Sequence, residues 1–300
     1  LSLHDALPIS VTKALIVIPS PEDVCIHYCV YHSRHPLAVR SDIEKRLDRA
    51  FTRHNELDFW NNEDIADAIH NRPESHHLFV VLGTSVIEVG RDWDADWGII
   101  EPSSMRSIIQ FAGRIQRHRR NVPTSENLVI LRSNIKSLQK KAPAFCKPGF
   151  ETKEHLLNSH DICELIPIAD YRTINALPRI LSANNANKLA ELEHSRLSAE
   201  LMSSKSKHVV AAQWWRAPLS WNGWMQRQTP FRYSPLPEAV FFLHMDDEES
   251  EARFYSRTGD NERKAQGNFR REEVRCASGV ACWGEMDYQH VLLNLADKQS

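Results

Sequence analysis

The spacing of hydrophobic positions changes several times along the chain, and those changes outline its elements. Val24–His32 is dense in β-branched and aromatic residues, which predicts a strand. Ser41-x-x-Glu44 has the form of a capping box. Ile43, Leu47, Ala50 and Phe51 recur around it at helical spacing, so a helix is expected to begin there. Asn61 to Asn71 predicts a shorter helix with Ile65 and Ile69 turned inward. Leu78–Leu82 is an unbroken apolar run, as in a strand covered on both faces. Trp97–Ile100 and Leu128–Leu131 are shorter runs of the same kind. Between them, from about Ser103, the residues Met105, Ile108, Ile109, Ala112 and Ile115 repeat with helical period. Strands alternating with helices predict an α/β fold built on a parallel sheet flanked by helices.

The character changes after Arg132. Lys140-Lys141-Ala142-Pro143 and Lys147-Pro148-Gly149 have linker composition. Asn184 is placed to cap a helix carrying Leu189, Leu192, Leu197 and Leu201, whose charged exposed positions suit a bridge between domains. From about Val209 the chain is Trp-rich and less periodic, with a charge-dense stretch from Asp246 to Arg275. The expected organisation is a first domain over 11–140, a linker and bridging helix over 141–208, and a small C-terminal domain over 209–300. Residues 1–10 (L-S-L-H-D-A-L-P-I-S) show no clear period and no initiator Met. They resemble translated sequencing-adapter read-through and are set aside as a non-native leader, so the chain is expected to be a fragment cut at its amino end.

Composition excludes more than it selects. With 42% hydrophobic and 25% charged residues the chain is ordinary for a globular protein. A net charge of −2 gives no global basic signature, so any nucleic-acid contact must be local. Six cysteines without a C-x-x-C pair suggest reduced thiols and a cytoplasmic setting. No apolar run approaches the roughly 18 residues of a membrane span.

Two segments carry candidate chemistry. The first is Q-x-x-G-R-x-x-R from Gln110 to Arg117, followed by His118-Arg119-Arg120. If the helix from Ser103 runs through it, Arg106, Gln110, Gly113, Arg114 and Arg117 share one face, opposite the apolar residues. Arginine forks match phosphate oxygens. Gly113 within the stripe costs roughly 1 kcal/mol against Ala, which a plain surface helix has no reason to bear. The second segment, Gly83 to Asp94, directly follows the buried strand. A small-residue turn at the carboxyl end of a parallel strand is where α/β sheets place ligand contacts. Gly83 permits close approach of a ligand, Thr84 and Ser85 offer donors to backbone phosphates, and Asp92 and Asp94 are suited to orient an arginine or a water.

These two segments resemble motifs VI and V of superfamily 2 helicases, and Tyr31-His32-Ser33-Arg34-His35 resembles motif IV. All three belong to the second RecA-like lobe of that superfamily. More narrowly, Y-H-S-R-H-P, E-V-G-R-D-W-D and S-I-I-Q-F-A-G-R-I-Q-R-H-R resemble the CRISPR-associated helicase–nucleases of type I systems, the I-F (YPEST) subtype most of all. The resemblance implies that Arg114 and Arg117 reach the ATP γ-phosphate, and that Gln110 senses nucleotide beside Gly113, Gly90 and Asp92. It implies that Ser33, Arg34, Gly83, Thr84, Ser85 and Glu88 meet single-stranded DNA, with Glu88 to Asp92 coupling that contact to the cleft. Arg91 stands where the wider superfamily is often aliphatic. Further implied are ATP and Mg²⁺, 3′→5′ movement along DNA, a crRNA-guided surveillance complex as partner, and degradation of foreign DNA by an HD nuclease.

Several parts of such an enzyme are absent from the sequence. There is no G-x-x-x-x-G-K-[ST] and no D-E-x-H or D-E-A-D box, so the remaining ATP and Mg²⁺ ligands are expected on an N-terminal lobe outside this chain. His4-Asp5 and His160-Asp161 are isolated doublets, whereas a two-metal nuclease needs several convergent ligands. No metal site is therefore expected within the chain. Cys25 and Cys29 suit core packing, His76-His77 suit a strand opening, and Cys276 and Cys282 suit structural or free thiols. Trp214, Trp215, Trp221 and Trp224, interleaved with Arg216, Arg227 and Arg232, suit either a small core or a stacking platform for bases. Two other readings stay open from the residues alone: the second lobe of another superfamily 2 DNA or RNA helicase, and a non-catalytic nucleic-acid-binding RecA-like module.

Overall fold

The structure is a computed structural model that describes residues 8–88, 90–119, 122–146, 148–180, 188–202, 241–246, 251–258, 262–265, 274–285 and 287–297. The chain divides into two compact units, one of residues 1–101, 110–135 and 240–300, the other of 102–109 and 136–239. These boundaries cut across the expected division at 140 and 208.

The first unit begins with α1 (Pro8–Leu15), β1 (Val24–Tyr31), α2 (Leu37–Phe51), α3 (Leu57–Trp60), α4 (Glu63–His70) and β2 (His76–Gly83). β1 and β2 run parallel, in register from Val24↔His76 to Tyr31↔Gly83. α2 starts four residues before the expected capping box. Pro36 occupies its N-cap, with φ −50° preset for helix entry, and Arg40 N–H donates to Pro36 O at 2.8 Å. Ser41 and Glu44 therefore lie inside the helix, and Glu44 is free for another use. α4 is capped by Asn62, whose Oδ1 accepts from Ile65 N at 3.3 Å.

β3 (Gly98–Ile100), α5 (Met105–Ala112) and β4 (Leu128–Ile130) follow, with β3 and β4 parallel. Next come the short α6 (Ile135–Leu138), α7 (Ile162–Leu165), α8 (Ile168–Arg172) and α9 (Leu177–Ile180), then α10 (Leu189–Met202). The remaining described elements are an antiparallel sheet of β5 (Phe242–His244), β6 (Arg253–Thr258) and β7 (Glu262–Ala265), then β8 (Val280–Cys282) and α11 (Tyr288–Asp297). The result is α/β, with small parallel sheets and helices. β8 pairs with β1 from Ile26↔Val280 to Tyr28↔Cys282, making β1 the centre of a β2-β1-β8 sheet. A segment expected in a separate C-terminal domain thus completes the first sheet. Three residues are too few to show a period, which is why the sequence gives no hint of this strand.

Both faces of the central sheet are covered. On one, Ile16, Tyr28, Leu82 and Val280 are buried, with Val11, Leu15, Ile26 and Val80 against them. On the other side of β1 and β2, Trp283 lies edge-on to Phe79 at 5.3 Å and near Phe51 at 6.5 Å. Ile43, Leu47 and Ala50 of α2 are buried too. Full burial of a Leu or Ile contributes roughly 1.5–3 kcal/mol, so α2 owes its position to this stripe more than to its cap.

The second unit has its own buried polar anchors. Glu151 accepts backbone N–H groups from Ala144, Phe145 and Leu157 at 2.7, 2.8 and 2.9 Å and pairs with His160 at 2.8 Å. Asp161 caps α7 by accepting from Cys163 N. The His160-Asp161 doublet is thus engaged structurally. Asn184, the expected cap of α10, and the tryptophans and arginines between 214 and 232 lie outside the described residues, as does His4-Asp5. Among the described residues no helix is long and apolar enough to cross a membrane.

Candidate arginine site

The register Tyr31↔Gly83 brings the carboxyl ends of β1 and β2 side by side, so the turns that follow emerge at one edge. In the first turn the His32 and His35 rings stack at 4.0 Å. His32 Nδ1 faces Arg34 N–H at 3.1 Å, and the His35 ring meets Val30 O at 3.1 Å. Burial, with His35 and Arg34 nearby, pushes the His32 imidazole down to about 4, so it is neutral at pH 7. This folded-back pair leaves Ser33 and Arg34 exposed at the tip.

In the second turn Thr84 precedes one turn of 3₁₀ helix, Ser85–Ile87, closed by Ile87 N–H to Thr84 O at 3.1 Å. Thr84 and Ser85 are half-buried. Gly83 is required by the packing of the two turns themselves. A Cβ there would lie 2.7 Å from Tyr31 O and 2.6 Å from Ile87 Cγ2, so the close approach is to the protein's own backbone. Glu88 is placed differently from expected. Expected against DNA, it is buried, and its carbonyl oxygen accepts from Arg114 Nη2 at 3.0 Å.

Gly90 adopts φ +72° with open space around it, so the need for glycine is conformational. The chain then turns back onto α2. Arg91 pairs with Glu44 at 2.7 Å and Asp48 at 3.4 Å, and donates to Tyr31 Oη at 3.0 Å. Tyr31 Oη donates to Glu44 in turn, and Trp93 Nε1 donates to Asp48 at 2.6 Å. Arg91 thus fastens the loop after β2 to α2 and the end of β1. An arginine at this position therefore has a structural use within this chain.

The arginine segment is not one continuous helix. α5 ends at Ala112, and Arg114 N–H and Ile115 N–H fold back to Phe111 O and Ala112 O in tighter turns. Ile115 then bridges to Ala95: Ala95 N–H donates to Arg114 O at 2.9 Å and Gln116 N–H to Ala95 O at 2.8 Å. Gln116 follows at φ +47°. Arginine has good helix propensity, but Gly113 interrupts it and pairing to Ala95 captures the backbone. The expected single face dissolves. Arg106 serves its own unit, placing its guanidinium over the Phe150 ring at 5.3 Å, while its backbone N–H donates to Glu193 at 3.1 Å. Gln110 is half-buried on the last turn of α5, and Gly113 is exposed beyond it.

The arginines beyond α5 have distinct surroundings. Arg119 is held by Asp94 through Nε and Nη2, the latter at 2.8 Å, and by Asp96 through Nη1. The Asp94 side chain is wholly buried and also accepts the N–H groups of His118 and Arg119. Arg53 adds a bond to Asp96 at 3.1 Å. Burial opposes the charge of Arg119, but hydrogen bonds to Asp94 and Asp96 more than offset it and raise its pKa above the usual arginine value. Arg117 pairs only at the surface, with Asp92, and donates to Gly113 O at 3.2 Å; its side chain is 42% exposed and that of Asp92 is 65% exposed. Arg114 has no carboxylate partner among the described residues, only the Glu88 carbonyl. Burial, then the charge of Arg117, lower its pKa from the usual arginine value, partly opposed by Asp92.

The structure therefore gathers Arg114, Arg117, Asp92, Gly90 and the Glu88 carbonyl, and sets Ser33 and Arg34 on the same sheet edge as Thr84 and Ser85. Asp92, Asp94 and Asp96 each face an arginine. The site offers an anion its guanidinium groups and does not offer a cation free carboxylates. Sequence reasoning missed Glu44, Asp48, Arg53, Asp96 and Arg119. One signal was available: Asp92-x-Asp94-x-Asp96 and Arg117-x-Arg119 alternate with period two, as the segments around the Ala95–Ile115 bridge require.

Similarity to known proteins bears on this arrangement. The family model described as the C-terminal part of the CRISPR-associated nuclease/helicase Cas3 matches residues 10–120. The subtype I-F/YPEST Cas3 of Pectobacterium atrosepticum is 48% identical over 253 residues, covering 80% of this chain and 23% of that protein. Its Pseudomonas aeruginosa counterpart is 38% identical over 299 residues, covering 97% of this chain and 28% of that protein. The chain thus spans about a quarter of the length of the curated relatives it matches. The crystal structure of T. fusca Cas3-ATP matches 41% of this chain and 12% of that one at 23% identity, with a TM-score of 0.26. The chain is a homologue of the subtype I-F/YPEST CRISPR-associated Cas3 nuclease/helicases and matches about a quarter of their length.

Proposed function

We propose that this region is the second RecA-like lobe of an ATP-driven translocase on single-stranded DNA, within a helicase–nuclease that degrades foreign DNA in type I-F CRISPR interference. Its part is the arginine half of the ATP cleft and a portion of the DNA track. The observation that carries the reading is Arg114: a partly buried guanidinium with no carboxylate partner among the described residues, beside a second arginine paired only with an exposed aspartate. Such a pair favours an incoming polyphosphate. As charge spreads over the transferring phosphoryl oxygens, Arg114 and Arg117 neutralise it from fixed positions. Arg117 exchanges Asp92 for phosphate at little cost, because exposed ion pairs typically contribute under about 1 kcal/mol. The Glu88 carbonyl that holds Arg114 follows directly on Thr84–Ile87, so a shift of that turn on DNA reaches the arginine through one hydrogen bond. Ser33, Arg34, Thr84 and Ser85 would line the track.

Mg²⁺ and the remaining nucleotide ligands are assigned to a partner lobe of the same protein, and nuclease metals to a further domain. A crRNA-guided surveillance complex is the proposed recruiting partner. In a full-length protein carrying this region, Arg117→Ala is expected to slow DNA-stimulated ATP hydrolysis far more than it weakens ATP binding. Arginine fingers typically contribute 10³–10⁵ in rate. An unchanged turnover would remove Arg117 from the role.

A further inference from the structure

The opposite end of the central sheet holds three side chains that the arginine site does not use. Cys25 and His27 are two residues apart on β1 and so share a face. Parallel pairing sets His77 beside Cys25 and Phe79 beside His27. A thiol and two imidazoles converge there, their ligand atoms all within 4.8 Å of one another. His27 Nε2 and His77 Nδ1 are 3.0 Å apart. The His27 ring lies flat on Phe79, with centroids at 4.4 Å and planes at 6°, which fixes its direction. Cys25 and His27 are buried and His77 is half-buried.

We propose that Cys25, His27 and His77 form a transition-metal site, with zinc(II) as its ion, that clips β1 to β2 at their amino ends. One sulfur and two imidazole nitrogens are a donor set for zinc or copper, and a poor one for magnesium or calcium. Zn–N bonds of about 2.0–2.1 Å place two tetrahedral ligands roughly 3.3 Å apart, so the two imidazoles need only a small opening to admit the ion. Neutral imidazole nitrogens and a thiolate are the forms that ligate, so binding releases protons. Burial raises the Cys25 thiol while Arg72 opposes that rise. On binding, the thiol releases its proton to solvent and the sulfur takes the metal, with the Arg72 guanidinium as its outer partner. Three protein ligands leave a fourth position for water. The site is independent of the ATP cleft and does not depend on that reading.

The test is a titration of the full chain, reduced and stripped with chelator, with cobalt(II) as a coloured stand-in followed by zinc(II). The expected result is one equivalent bound, with a thiolate-to-cobalt charge-transfer band in the near ultraviolet and tetrahedral bands in the visible, all erased by zinc. Cys25→Ser abolishes the charge-transfer band, and His77→Gln weakens binding more than about tenfold. His76→Gln, on the other face of the strand, leaves it intact. Zinc raises the melting temperature of the parent chain and not of Cys25→Ser. A folded parent chain with no thiolate band would overturn the proposal whatever the variants do. So would a band that survives in Cys25→Ser or binds cobalt equally well in His77→Gln.

Discussion

Arg119 and Arg114 lie five residues apart in one segment, yet their guanidinium groups have opposite surroundings. Arg119 is enclosed: its side chain is 6% exposed, Asp94 beside it is fully buried, and Asp96 completes the cage. Arg114 is half-buried against a backbone carbonyl, where burial and the charge of Arg117 oppose its own charge more than Asp92 supports it. The first arrangement has no capacity left for a ligand, and removing one partner would strand a buried charge. The second has lost part of its hydration and has no carboxylate pair among the described residues. An arginine-rich run is therefore not one functional unit. Arg91 and Arg119 are tied to carboxylates that hold the loops in place, whereas Arg114 and Arg117 are not enclosed in this way.

That contrast can be broken most severely by isolation. The chain alone contains no P-loop lysine, so the purified 300-residue chain is expected to show no ATPase activity above background, with or without single-stranded DNA. Measured turnover from it would mean that the arginines are not half of a divided cleft. Next is the enclosed arginine. Asp94→Ala removes the buried partner of Arg119 and leaves it Asp96 at the surface, and a loss of roughly 3–5 kcal/mol in denaturant unfolding is expected. A stability near that of the parent would show the cage to be ornamental.

Smaller effects sharpen the same comparison. Arg91→Ala removes charge-assisted bonds to Glu44 and Asp48 and is expected to cost about 1.5–3 kcal/mol. Asp92→Asn, which loosens the exposed contacts of Asp92 to Arg117 and His118, is expected to leave the melting temperature nearly unchanged. The clamp also predicts a pH dependence. Burial raises the Glu44 carboxyl, but hydrogen bonds from Tyr31 and Arg91 lower it more, so its folded pKa is below the ordinary 4.5. The stability it contributes is fully present above that ordinary value and is lost as pH falls through the lower folded value. Glu44→Gln should therefore narrow the gap in stability between pH 7 and pH 3, measured by chemical denaturation at each pH.

Legibility in the sequence followed the length of the pattern. β1 and β2 are continuous apolar runs because both their faces are covered, and their extents were readable to within a residue or two. α2 offered two start signals, and Pro36 prevailed over the Ser41 box because a helix can extend back to the first residue whose φ is already set. The overrun of the arginine helix has a tertiary cause, since nothing local announces that Ile115 will pair with Ala95. Asp92 and Asp94 were recognisable as partners for arginines, but which arginine each would hold depended on that same bridge. β8 joins β1 from more than two hundred residues away, and His77 reaches Cys25 only through parallel register. Neither is a property of any window of sequence.

The most direct test of the division between held and available arginines is to measure ATP turnover and thermal melting on one preparation of full-length protein carrying Arg114→Ala. The expected result is a melting temperature close to that of the parent, with DNA-stimulated turnover at saturating ATP reduced by about 10³-fold or more. Turnover within tenfold of the parent, or a melting temperature lowered as far as by Asp94→Ala, would contradict the account.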